Sequence, residues 1–309
     1  MMTVTTSYKY APILSLLFVS FLWGTTFPGG KYVLETLPLF FYMAVRFILA
    51  TLVLLPLSWS QLKTSTPRDW KIACLIGLIL YVTLVLQTVA LLYTTAAKNA
   101  FVFGAYVVLV PVLSFIVFKQ RMTLKASIAC IAAFIGLGFI AGEEGMKGGL
   151  DLGVVLTLIS ALFMAMQIVS VGRYASEVAP LVITFFLTLT GAVLFVVSSL
   201  VIDGLPGLKS FEIAGLSVWG CIVFMAVFST SLSYAMQCSA QKHVDQSVAG
   251  IILSMCCVFG AFQSWLFLDE TFSLEMIIGG FIIVCSILIA QIPERSIKAF
   301  TGRIKSKRR

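Results

Sequence analysis

The chain is dominated by apolar runs too long for a water-soluble core. Ten of them can be read: Tyr10 to Gly30, Leu39 to Trp59, Ile72 to Tyr93, Asn99 to Phe118, Ala126 to Gly142, Leu152 to Gly172, Leu181 to Ile202, Ile213 to Ala240, Gln246 to Leu268 and Met276 to Ile292. Each is close to the roughly 20 residues that a helix needs to cross about 30 Å of hydrocarbon. Unbroken runs argue for helices, because barrel strands alternate polar and apolar residues. Composition agrees, with 60% hydrophobic and 11% charged residues in 309, against about 45–50% and about 25% in soluble domains. Water-soluble enzymes and ordinary nucleic-acid binders are excluded. The expected fold class is an all-α integral membrane protein with ten transmembrane helices joined by short connections.

The net charge of +8 reports orientation. Lys and Arg accumulate on the cytoplasmic side of membrane proteins. With the N-terminus inside, sixteen of the twenty-one basic residues and four of the thirteen acidic ones fall inside, giving +12 there and −5 outside, with Arg46 within a span. Both termini are therefore expected in the cytoplasm. The basic tail, residues 293–309, reads as a topology anchor facing anionic lipid rather than a nucleic-acid arm.

The chain also repeats itself. Lys31-Tyr32-x-x-Glu35-x-x-Pro38-Leu39 returns as Arg173-Tyr174-x-x-Glu177-x-x-Pro180-Leu181, an offset of 142, and Gln87, Ala90 and Thr123-Leu124 return as Gln237, Ala240 and Ser273-Leu274, an offset of 150. This predicts two five-helix units, residues 10–142 and 152–292. An odd number of helices inverts the second unit in the membrane. Inverted repeats build transporters with a midplane solute site and alternating access.

Several of these segments carry a family likeness. Phe21-Leu22-Trp23-Gly24-Thr25, Arg46-Phe47, and the run from Gln87 through Tyr93-Thr94-Thr95-Ala96 and Asn99-Ala100-Phe101 to Tyr106-Val107-Val108-Leu109-Val110-Pro111 resemble the EamA-type branch of the drug/metabolite transporter superfamily. The resemblance runs from about Pro12 to Gln291. It implies an inner-membrane carrier of two inverted five-helix repeats, often an exporter of amino acids or other small metabolites. The chain departs from the family pattern at Lys119-Gln120, where an acid is usual and only Asp269-Glu270 keeps one, and at Cys256-Cys257, which replaces Glu-Pro.

Polar side chains inside spans are costly unless partnered or wet, so they mark candidate sites. Thr230, Ser233, Gln237 and Gln241 recur at helical steps, and Thr83 with Gln87 repeats the Ser233 and Gln237 pair. These are expected either along a solute path or in hydrogen bonds between helices. Arg46 costs about 2.5–3.5 kcal/mol near the membrane centre. It is expected either to receive a substrate carboxylate or phosphate in a bidentate pair or to hold the repeats together by capping carbonyls. Trp23, Tyr81, Tyr106 and Tyr234 are aromatics with a polar handle, suited to a partly apolar solute. Thr26, Asn99, Gln167 and Gln263 complete the expected pathway. Gly24, Pro28, Gly29 and Gly30 suggest a loosened outer end of the first span.

What is missing narrows the mechanism. No carboxylate lies in a span core, so a carboxylate-relayed proton antiporter is disfavoured and facilitated transport or exchange is expected. His243, the one histidine, falls in a loop, the seven cysteines lack metal spacing, and no phosphate-binding loop is present. An enzyme, a metal site and a cofactor are not expected. The expected partners are a small-molecule substrate and membrane lipid, with no nucleic acid, and the sequence leaves a homodimer open. The expected function is secondary transport of a small metabolite, amino acid or related solute across the cell inner membrane. A channel or a non-transporting sensor or scaffold remains the alternative, and within transport a nucleotide-sugar or lipid-linked substrate.

Overall fold

The computed structural model describes residues 4–119, 151–204 and 214–291, with residues 128, 131, 132, 135, 136 and 139 between. The expected fifth span and the basic tail lie outside the described residues. The described helices are α1 (Val4–Gly24), α2 (Thr26–Leu34), α3 (Leu39–Leu62), α4 (Pro67–Ala90), α5 (Ala96–Phe103), α6 (Tyr106–Phe118), α7 (Leu152–Tyr174), α8 (Pro180–Ser198), α9 (Leu216–Phe224), α10 (Ser233–Ala240), α11 (Gln246–Leu253), α12 (Met255–Leu268) and α13 (Leu274–Gln291). No strand occurs among the described residues. Eight helical stretches are long and apolar enough to cross a membrane: Tyr10–Leu34, Leu39–Leu62, Pro67–Ala90, Ala96–Val117, Leu152–Tyr174, Pro180–Asp203, Leu216–Ala240 and Gln246–Leu268. Many large apolar side chains point outward, among them Leu52, Ile116, Val201 and Phe267. In lipid these side chains form the natural outer surface of a bundle.

Three spans are interrupted, and local hydrogen bonds account for two of the breaks. At the first, Thr25 Oγ1 donates to the Leu22 carbonyl at 2.7 Å and Thr26 Oγ1 to the Trp23 carbonyl at 2.6 Å. Two successive hydroxyls that bond three residues back tighten the turn and separate α1 from α2. The break thus falls at Thr25. Pro28 sits in the first turn of α2, where its missing N–H is tolerated. Ser254 Oγ does the same to the Ile251 carbonyl at 2.6 Å, between α11 and α12. Gly104 and Ala105 separate α5 from α6.

The seventh span described carries a π-helical segment, Met225–Leu232, between α9 and α10. Its hydroxyls reach carbonyls five residues back: Thr230 to Met225, Ser231 to Ala226 and Ser233 to Phe228, at 3.0, 2.9 and 2.8 Å. The even helical spacing read from Thr230 to Gln241 therefore holds only from Ser233 onward. Before that, a five-residue turn rotates the side chains.

Packing is set by small residues, as expected where lipid tails leave little hydrophobic drive between helices. α8 lies against both α3 and α4, and α4 also against α7. A Cβ on Gly77 would meet the Leu187 backbone at 3.0 Å and Thr190 Cβ at 2.8 Å; one on Gly24 would meet Phe259 Cβ at 2.8 Å. The helix ends are tied across the bundle. Glu270 receives the Ala96 and Ala97 N–H groups, both at 2.8 Å, which caps the start of α5. The retained acid of the Asp269-Glu270 pair thus completes another span's helix. Lys98, expected in an outer loop, is buried in the first turn of α5 and pairs with Asp151 at 3.8 Å.

Gly77→Ala is expected to lower the thermal unfolding midpoint in detergent, by the equivalent of about 1–3 kcal/mol of overpacking. Gly220→Ala is its control. Nothing lies within 4 Å of a Cβ at Gly220, so the midpoint should hold or rise by up to about 1 kcal/mol in equivalent stability. Equal losses in the two variants would show that contact at Gly77 is not what matters.

Candidate functional site

Arg46 projects from the second turn of α3 into the bundle and is 5% exposed. Its Nε donates to Thr230 Oγ1 at 2.9 Å and its Nη1 to the Tyr42 hydroxyl at 3.1 Å. Both acceptors have their own protons placed elsewhere. Thr230 donates to the Met225 carbonyl and Tyr42 to Met225 Sδ at 3.3 Å. Each oxygen thus turns lone pairs toward the guanidinium. No carboxylate contacts Arg46 among the described residues. Arg46 also borders a small cavity.

That cavity is lined by Trp23, Thr26, Thr83, Gln87, Tyr234 and Arg46, together with Phe27, Leu84, Phe103, Met164, Ser229 and Cys256. Its volume is about 30 Å³, and an adjoining pocket of about 20 Å³ extends past Arg46 and Tyr42 to Gly30 and Leu91. Such spaces hold one or two waters. The site is small and most of its lining residues are buried. Trp23 is braced against Tyr234 with ring centroids 5.3 Å apart, and Phe27 against Phe103 at 6.1 Å. Trp23 Nε1 is buried without a hydrogen-bond partner.

The other expected pathway residues lie elsewhere in the bundle. Gln167 and Gln237 are fully buried and face each other, each amide donating to the other at 3.4 and 3.2 Å. Asn99 donates to the Gln87 carbonyl and to Thr157 Oγ1. Tyr106 touches the cavity residue Cys256 through its hydroxyl, 3.5 Å from Sγ. Tyr81 shares a hydrogen bond with Ser198 at 2.6 Å and packs on Phe195. Ser233 bonds its own helix, and Gln263 donates to the Phe21 carbonyl at 3.4 Å. These residues join helices rather than line the cavity.

Four contributors escape a reading by residue type alone. Tyr42 stands one helical turn before Arg46, a spacing that is visible in the sequence. Met225 and Ser229 act through the π segment, which has no sequence signal. Lys31, expected as an outer-loop charge, donates to the carbonyls of Leu91 and Thr94 at 2.6 and 3.0 Å. It caps the end of α4, as a cation at a helix C-terminus should. Elsewhere, at the end of α10, Gln241 Nε2 donates to the Ile168 carbonyl of α7 at 3.1 Å, and Arg68 and Arg173 both pair with Glu177.

Described residues that are helical almost throughout, with eight membrane-length stretches and a small cavity beside the buried Arg46, have the makings of a multi-pass membrane transporter. The chain belongs to the EamA-like transporter family, whose sequence profile matches it twice, over residues 11–142 and 151–291. It is similar to an uncharacterized transporter of Archaeoglobus fulgidus, 29% identical over 90% of this chain and 85% of that one. A probable biotin transporter of Pseudomonas aeruginosa is 26% identical over 92% of this chain and 99% of its own length. A crystal structure at 17% identity superposes with a TM-score of 0.70 over 94% of this chain and 99% of that chain, a likeness of fold.

Thr230→Val removes the acceptor for Arg46 Nε with little change of shape. Its thermal midpoint is expected to fall by the equivalent of about 1–3 kcal/mol, the cost of an unmade buried bond. Thr230→Ser should restore most of it. Identical midpoints for Val and Ser would show that the hydroxyl is not needed.

Proposed function

We propose that the chain is a secondary transporter that carries a small anionic or carboxylate-bearing metabolite across the inner membrane by alternating access. The observation that carries this reading is Arg46. It is a buried guanidinium whose protein partners are two neutral oxygens. A cation in this setting favours an anion that can pair with its remaining N–H groups. The relative named a probable biotin transporter would move a carboxylate, which suits the same chemistry.

In this reading ten helices form two inverted units, residues 10–142 and 152–292, with both termini cytoplasmic. The double family match supports it. So do features repeated 150 residues apart: the helix starts after Thr95 and Asp245, the helix ends at Ala90 and Ala240, and the left-handed residues Lys119 and Asp269 with φ of 55° and 51°. Closure at both ends of the cavity suits a carrier better than a channel. In this reading the Lys31 bonds would close one end and the Gln167, Gln237 and Gln241 bonds, which tie helices together, the other. Neutral side chains and carbonyls make most of these bonds, so each set can exchange for water at modest cost. No carboxylate among the described residues borders the cavity, which favours exchange or facilitated movement over proton coupling.

Counterflow in proteoliposomes with a panel of amino acids, carboxylates and biotin tests this. Arg46→Gln should reduce uptake of every transported anion or zwitterion by more than about tenfold, the effect of one charge-assisted bond. Arg46→Lys should retain part of the activity. A folded Arg46→Gln protein with intact transport would remove Arg46 from the binding role. Uphill accumulation driven by a pH gradient would overturn the exchange mechanism.

A further inference from the structure

The cavity holds more than one charge to read. Resting on the reading of this cavity as the solute site, we propose that it selects monocarboxylates lacking an ammonium group. The carboxylate pairs with Arg46, and a second acceptor on the solute takes the indole N–H of Trp23.

Two independent observations lead there. The first is the charge balance of the lining. Among the described residues, Arg46 is the one charged residue bordering the cavity, and neither Asp nor Glu lines it or the adjoining pocket. A bound monoanion makes the site neutral. A zwitterionic amino acid leaves it at +1 and buries an ammonium with no carboxylate to meet it, while an amine raises it to +2. An uncompensated charge in a water-poor interior costs far more than a neutral pair. The site that accepts an acid therefore rejects the corresponding amino acid.

The second observation is Trp23. The residue is 6% exposed and lines the cavity, yet its Nε1 has no hydrogen-bond partner. Buried polar groups are nearly always satisfied, so an orphaned donor in a binding cavity calls for a ligand acceptor. The tilted contact with Tyr234 holds the indole in place. Gln87 also borders both spaces with its side-chain amide unpartnered among the described residues, and can meet a neutral oxygen on the solute. Phe27, Leu84, Phe103 and Met164 supply an apolar part of the wall. The solute class is thus an acid with an apolar or aromatic body and a neutral acceptor near the carboxylate, as in a 2-oxo acid.

Four probes with one aromatic body isolate these terms: phenylpyruvate, 3-phenylpropionate, phenylalanine and phenethylamine. Binding to the purified full-length protein, read by ligand-dependent thermal shift, is expected to favour the two acids over phenylalanine by about a hundredfold, with phenethylamine weaker still. Phenylpyruvate should exceed 3-phenylpropionate by about two- to tenfold, the range of one hydrogen bond. Trp23→Phe keeps the ring and removes the N–H, so this second ratio should fall toward one.

Phenylalanine or phenethylamine binding as tightly as the acids overturns the charge rule, as does failure of both acids to bind. Equal affinity for the two acids, or an unchanged ratio in Trp23→Phe, overturns the second donor. The wild-type ranking decides the charge rule by itself, and where Trp23→Phe does not fold, Gln87→Leu decides the donor: a ratio kept there supports Trp23, and a ratio that falls toward one overturns it. Counterflow with the same probes separates this inference from the transport reading. Acids that bind but do not exchange keep the site chemistry and refute transport. Exchange of phenylalanine without the acids keeps transport and refutes the selection.

Discussion

The arrangement around Arg46 depends on where two protons go. A guanidinium inside a membrane has only donors to offer, so each neighbouring hydroxyl must present an oxygen whose own hydrogen is engaged elsewhere. Met225 provides both destinations: its carbonyl takes the proton of Thr230 and its sulfur that of Tyr42. The π segment makes this possible. Its five-residue turn places Met225 and Thr230 within reach of each other while Thr230 still faces α3. A π insertion beside a functional group is a common association, and here it has a definite task. It orients a neutral acceptor toward a cation that has no carboxylate partner, which leaves the cation's charge available to a solute.

The same economy explains the breaks in the other spans. Thr25 and Thr26 satisfy carbonyls at the end of α1 with their own hydroxyls, so the interruption leaves little unmet polarity in the membrane interior. Thr25 Oγ1 also meets Ser229 Oγ at 2.9 Å, joining the break to the π segment. The two irregular backbones therefore meet at the cavity wall. Regular helix surrounds them, with Gly77, Gly191 and Gly24 letting neighbouring helices approach closely. Irregular backbone confined to the protein interior is what the bilayer permits.

The long apolar runs made the helical class legible, because hydrocarbon thickness imposes a length that no local detail can mask. Arg46, Trp23, Thr83, Gln87 and Tyr234 were also legible as site candidates, since a polar group within a span needs a reason. What the sequence could not separate was a polar group facing a cavity from one facing another helix. Gln87 and Gln237 stand 150 residues apart, each with a hydroxyl residue four positions before it and an alanine three after, yet one borders the cavity and the other is bonded to Gln167. The difference lies in what packs opposite, which depends on the whole bundle. The turn at Thr25 and the π segment were hidden for another reason. Each shifts the backbone by a fraction of a turn, and hydroxyls close such shifts as readily as they cap regular helices. Glu270 was visible as an acid but not as the cap of α5, since its partner lies more than 170 positions away.

Close crossings near the cavity bear on how such a bundle could rock. α5 and α6 meet α11 and α12 through complementary sizes. Gly250 receives Val110, and Gly260 receives Ala100 and the ring of Phe27. Under the proposed offset of 150, Gly250 corresponds to Ala100 and Val110 to Gly260, so the two contacts are one contact seen twice with the small and large members exchanged. Tyr106 and Cys256 are likewise corresponding positions, and they touch each other. A residue that contacts its own counterpart lies on the axis relating the two units. Motion about that axis changes the contact least, while separations grow toward the ends of the helices, where the Lys31 and Gln241 bonds lie. In the proposed transporter the crossing therefore acts as the pivot and the hydrogen-bonded ends as the parts that open.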